Sequence, residues 1–116
     1  MDVIERDIVN RRGLFKADKP ASWHPLIVVA KDDNVCWAAI CTDAKHRDVF
    51  PNSVDVTSPD GGFNKNTIAI CDKLGEIRLS DVRKIRGHVD VFDFARLLEA
   101  IDDNNGTDNI FEVWSV

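Results

Sequence analysis

The sequence is short of every feature that would place it outside ordinary globular proteins. It has only 4 Pro and 6 Gly in 116 residues, which excludes collagen-like and low-complexity chains. No run approaches ~18 consecutive apolar residues, so no helix is expected to span a membrane. The N-terminus, Met1-Asp2-Val3-Ile4-Glu5-Arg6-Asp7, breaks up its apolar residues with charge and lacks the apolar stretch of a secretory signal. Cysteine is scarce and odd in number: Cys36, Cys41 and Cys71. An odd count suggests reduced thiols and a cytoplasmic setting. No C-x-x-C pair exists. Cys36 and Cys41 are five apart in one apolar run, which points them to opposite faces of a strand, so zinc ligation is not expected. The three thiols read as core packing. No glycine-rich phosphate loop is present, because Gly61-Gly62 precedes a strand-like segment rather than a helix.

Positive charge is also in short supply. Lys and Arg number 15 against 20 Asp and Glu, a net of -5. That balance argues against a plain nucleic-acid binder, whose phosphate contacts come from a basic face. The deficit is uneven. Residues 1–87 carry 14 basic against 13 acidic side chains, and residues 88–116 carry one against seven. Acidity therefore belongs to the C-terminal part, and net charge does not exclude an RNA substrate for the rest. A shallow salt dependence is expected if RNA binds.

What is present is one domain's worth of core, with 44% hydrophobic residues. Leu26–Ala30 and Val35–Cys41 are apolar runs separated by the polar Lys31–Asn34, which reads as an antiparallel hairpin. Val54–Thr57 alternates like a half-exposed strand, and Ser58-Pro59-Asp60-Gly61-Gly62 is the strongest turn signal. Thr67–Cys71 reads as a buried strand and Glu76–Leu79 as a separate alternating one. Ser80-Asp81 can cap a single helical turn through Lys84, ended by Gly87. From Asp90 the period becomes 3.6. Val91, Phe94, Ala95, Leu98 and Ile101 form the inward stripe, and Asp93, Arg96 and Glu99 lie outside. Asp90 is the expected N-cap and Asn104-Asn105-Gly106 the stop. The expectation is a mainly β domain with one C-terminal helix: a small curled barrel over about 7–87, a helix over about 90–103, and a tail strand over about 109–116.

The order of segments resembles the PemK/MazF toxins, over about Asp7 to Ile101. Asp7-Ile8-Val9 stands where the family opens its first strand, and Pro25-Leu26-Ile27-Val28-Val29 where it has a proline and an aliphatic strand. Ile40-Cys41-Thr42 matches a strand ending in threonine or serine. Gly61 through Asp72 matches a glycine-rich turn and a strand ending in aspartate, and Leu79 through Gly87 matches the segment before the last helix. The resemblance implies an SH3-like barrel and a homodimeric endoribonuclease that cleaves single-stranded RNA without metal or cofactor. It also implies control by an antitoxin protein and DNA binding by the toxin–antitoxin complex. Two positions depart from the family pattern: His24 and Ile70 stand where arginines hold the scissile phosphate.

On that reading His24, Thr42 and Asp72 are the candidate catalytic residues. His24 can act as base or acid, Thr42 can bond a phosphate oxygen, and Asp72 can orient a donor or read a base edge. Trp23 can stack on an unpaired base, and Lys19, Lys45, His46 and Arg47 can meet phosphate. Each has a plainer role. Thr42 can end a strand on its own backbone. Lys45-His46-Arg47, flanked by Asp43 and Asp48, can be a solvated tip. Asp72 can cap a turn, and Trp23 can be a core or interface aromatic. The alternative function is a catalytically inactive SH3-like module that grips a protein segment or nucleic acid.

Overall fold

The computed structural model describes residues 2–11, 14–16, 19–20 and 25–104. Among the described residues, eight strands precede one helix. They are β1 (Asp7–Arg11), β2 (Leu14–Lys16), β3 (Lys19–Pro20), β4 (Leu26–Lys31), β5 (Val35–Asp43), β6 (Ser53–Val56), β7 (Thr67–Arg78), β8 (Val82–His88) and α1 (Val91–Asn104). Short 3-10 turns at Ala44–His46 and Leu79–Asp81 link β5 to β6 and β7 to β8. Six strands form one antiparallel sheet in the order β6-β7-β5-β4-β1-β8, and β2 and β3 pair separately. The expected tail strand falls outside the described residues. Among the described residues, no helix is long and apolar enough to cross a membrane.

The continuous apolar runs have a packing reason: both faces of the sheet are covered. Leu26, Val28, Cys36, Ala38 and Ile40 enter one core cluster with Val9, Ile70, Ile77 and Val82. Their neighbours Ile27, Val29, Ala39 and Cys41 enter a second cluster with Leu97 and Ile101 of α1. Cys36 and Cys41 thus lie on opposite faces, and all three thiols are buried. Burial pushes the Cys36 and Cys71 thiols up to about 11, and pushes Cys41 higher still. The β4–β5 hairpin forms as expected, with Leu26 opposite Ile40 and the Asp32 N–H donating to the Val35 carbonyl at 2.8 Å.

Three expectations are corrected. Thr67–Cys71 and Glu76–Leu79 belong to one strand, β7. Ala39 faces Leu74 and Cys41 faces Ala69, so Ile40 opposes four residues in a bulge over 70–73. The helical turn at Ser80–Lys84 is a shorter 3-10 turn, after which Val82–Lys84 extend into β8. The face of α1 is also rotated. Asp93, Leu97 and Ile101 are buried, whereas Val91, Ala95 and Leu98 face solvent. The reason is Asp93 itself, whose Oδ2 accepts from the Thr57 N–H at 2.8 Å and the Thr57 hydroxyl at 2.6 Å. Asp90 caps the helix as expected, accepting from the Phe92 and Asp93 N–H groups.

The ladder does not close, because its end strands β6 and β8 are not paired. The β6–β7 loop fills that seam. A Cβ on Gly87 would meet the Gly62 Cα at 3.0 Å and N at 3.1 Å, so two backbones touch there. Ser58 Oγ lies 2.7 Å from the His88 carbonyl oxygen, and Asp60 Oδ1 accepts from the His88 N–H at 2.9 Å. Gly61 turns the loop with φ of 77°, a conformation glycine adopts without Cβ strain.

Candidate functional site

A cleft of about 200 Å3 opens where the loop, the end of β5 and β8 converge. Pro25 borders it at the start of β4. β5 ends there with Thr42 and Asp43, and the following 3-10 turn supplies Lys45 and His46. That turn forms because the Asp43 carboxylate accepts from the Lys45 N–H at 3.0 Å, while the Ala44 N–H donates to the Asn66 carbonyl. Phe63, Asn64 and Lys65 come from the β6–β7 loop, Thr67 from the start of β7, and Arg86 from β8.

The cleft is cationic although the chain is acidic. Its described lining holds Lys45, Lys65 and Arg86 against one carboxylate, Asp43. Lys65 Nζ lies 3.5 Å from Asp43 Oδ2. The Lys45 N–H, followed by the charges of Lys65 and Lys45, holds the Asp43 carboxyl below its usual range against a smaller opposing cost of desolvation. Arg86 is partly buried and has no ion-pair partner among the described residues. The Thr67 hydroxyl donates to the Lys65 carbonyl at 2.8 Å, which steadies the loop. Thr42 is half-buried and makes no side-chain hydrogen bond among the described residues, so its hydroxyl is available to a ligand.

The residues singled out from sequence separate into groups. Thr42, Lys45 and His46 meet in the cleft. Arg47 does not line it; its guanidinium pairs with Asp55 on β6 at the surface. Asp72 sits in the β7 bulge, accepts from the Asn52 side-chain amide at 3.2 Å, and does not line the cleft either. Trp23 and His24 lie outside the described residues, as does the side chain of Lys19, whose backbone belongs to β3. Sequence reading missed Arg86, Lys65, Phe63 and Asn64. For Arg86 a signal existed: Val82-Arg83-Lys84-Ile85-Arg86 can be read as an exposed edge strand, and assigning part of it to a helical turn hid the arginine.

Against solved structures, the fold is similar to that of "Mycobacterium tuberculosis toxin MazF-mt6", with a TM-score of 0.65 and 18% identity over 89% of this chain and 99% of that one. It is also similar to an "Endoribonuclease in complex with its cognate antitoxin from Mycobacterial species", with a TM-score of 0.65 and 15% identity over 92% of this chain and 97% of that one. No family model matches the chain, and no curated protein matches it significantly. The likeness spans nearly the whole of both chains and establishes a MazF-type fold.

Proposed function

We propose that the chain uses its MazF-type fold as a toxin-like endoribonuclease on single-stranded RNA, held in check by an antitoxin. The observation that carries the reading is the cleft. It gathers the Thr42 hydroxyl and the Arg86 guanidinium, neither with a side-chain partner among the described residues, with Lys45 and the His46 imidazole on a fold shared with an endoribonuclease. The reaction is attack of a ribose 2′-hydroxyl on its own 3′-phosphate. A P–O2′ bond forms, the P–O5′ bond breaks, and the O5′ leaves with a proton. The products are a 2′,3′-cyclic phosphate and a 5′-hydroxyl, so no metal or cofactor is required.

Arg86 and Lys45 neutralise the charge that grows on the phosphorane, where fixed donors are worth most. Thr42 donates to a non-bridging oxygen. His46 can take the 2′-proton or return one to O5′, because an imidazole nitrogen can either accept or donate a proton. His24, the chain neighbour of the cleft-lining Pro25, is the second candidate for that exchange. Phe63 offers a face for an unpaired base, and Asn64 an amide for its edge. Arg86 answers the departure noted in the sequence: a guanidinium reaches the cleft from β8 although positions 24 and 70 carry none. The antitoxin complex of the second structural neighbour supports control by an antitoxin here. The homodimer belongs to the same proposal and is checked by sedimentation.

The test is incubation of the protein with a long single-stranded RNA in EDTA. Cleavage leaving 2′,3′-cyclic phosphate ends is expected, with Arg86→Ala slower by about 10²-fold or more, the usual cost of removing one fixed donor to a developing oxyanion. No cleavage by the native protein, or cleavage untouched by both Arg86→Ala and Thr42→Val, would remove this assignment.

A further inference from the structure

The β6–β7 loop brings Phe63, Asn64 and Lys65 to the cleft, and its other end is tied down by a cluster that takes no part in the chemistry above. His88, at the end of β8, sits between two carboxylates. Its Nδ1 lies 2.8 Å from Asp60 Oδ2 on the loop, within a hydrogen bond, and its Nε2 approaches Asp7 Oδ1 on β1 to 3.1 Å without hydrogen-bond geometry. Asp7 is buried, and its other oxygen accepts from the Ile4 N–H at 2.9 Å. Asp60 Oδ1 accepts from the His88 N–H and lies 2.8 Å from Ser58 Oγ, which itself accepts from the Gly62 N–H at 2.8 Å. One histidine therefore links the first strand, the last strand and the loop across the open seam of the sheet.

We propose that His88 is a positioning residue: by bridging Asp7 and Asp60 it latches the β6–β7 loop to β8 and so fixes Phe63, Asn64 and Lys65 beside Thr42. This rests on the reading of the cleft as the RNA site. The other charged groups lining the depression around His88 and Asp60 are Arg6 and Asp90. Neither makes a side-chain bond to the ring.

Two substitutions separate the two arms of the bridge. In His88→Asn the amide nitrogen can occupy the place of Nδ1 and keep the bond to Asp60. In His88→Gln it can reach the place of Nε2 and keep only the approach to Asp7, without the hydrogen bond to Asp60. Hydrogen-exchange protection of the Gly62 and His88 amides reads the latch. His88→Gln should lower it about three- to tenfold, the loss of one hydrogen bond, while β4 and β5 amides hold theirs. His88→Asn should retain protection. Affinity for a non-cleavable 2′-deoxy RNA analogue should follow the same order, severalfold weaker in His88→Gln and restored in His88→Asn.

Unchanged protection in His88→Gln, or no difference between the two variants, overturns the latch. A loosened loop with unchanged analogue affinity overturns the positioning role. If the native protein binds no RNA analogue, the RNA reading fails by itself, and the exchange measurements alone decide the latch.

Discussion

Gly87→Ala tests how the open sheet is held shut. A Cβ at position 87 would lie 2.7 Å from Asp60 Oδ1, 3.0 Å from the Gly62 Cα and 3.1 Å from the Gly62 N. The carboxylate could swing aside only by giving up its bond to the His88 N–H. The space beside Gly62 is itself occupied, since the Ile8 Cδ1 and Ser58 Oγ lie 2.5 and 2.8 Å from where its own Cβ would be. Overpacking against backbone costs about 1–3 kcal/mol. With an unfolding entropy near 2.1 cal/mol/K per residue, a domain this size loses about 4 °C of Tm per kcal/mol, so a fall of about 4–12 °C is expected. Differential scanning calorimetry measures it directly. Gly61→Asn is the matched comparison. Nothing lies within 4 Å of a Cβ there, and φ of 77° is a conformation asparagine tolerates, so its Tm should stay within about 2 °C. Equal Tm values for Gly87→Ala and the native protein would refute the steric closure of the seam.

Asp93→Ala should destabilise the fold by about 1–3 kcal/mol in urea unfolding, because it strips the Thr57 N–H and hydroxyl of their charged acceptor and frees Arg96; Asp93→Asn should lose less. The carboxyl of Asp60 is held well below the usual range, first by the His88 N–H, then by the His88 ring and the Ser58 hydroxyl. A depressed folded value means its contribution is complete above the unfolded carboxylate value near 3.9 and is lost as pH falls below it. Tm should therefore drop between about pH 5 and about pH 2. Asp60→Ala should flatten that limb, and an unchanged acid limb would contradict the assignment.

The sequence announced those elements whose evidence is local. Leu26–Ala30 and Val35–Cys41 show continuous apolar runs because both their faces are covered, and the polar turn between them fixes the hairpin. Asp90 shows as a cap because the unsatisfied N–H groups it serves are its own neighbours. The continuity of β7 is not legible because two strand-like runs, Thr67–Cys71 and Glu76–Leu79, are separated by a mixed segment, whereas four residues at 70–73 swell out against Ile40 and the strand continues. The rotated face of α1 was hidden for a related reason: periodicity assigns an acid to water, and only the fold reveals that Thr57 is waiting for Asp93. Thr42 and Lys45 were readable because a strand end and its turn are contiguous. Arg86 and Lys65 were not, because a cleft assembled across a seam joins strands that have no period in common.

The strand order also bears on when the molecule becomes competent. β1 precedes β4 and β5 in the chain, yet its partner β8 follows them, with Asp7 opposite His88. Nucleation can draw on the local β4–β5 hairpin, but the β1–β8 ladder joins residues 7–11 to 82–88 and contributes high contact order. Arg86 rides on that late strand. A truncated or still-emerging polypeptide would hold Thr42, Lys45 and His46 without the guanidinium beside them. The cleft is thus complete only once β8 has joined β1.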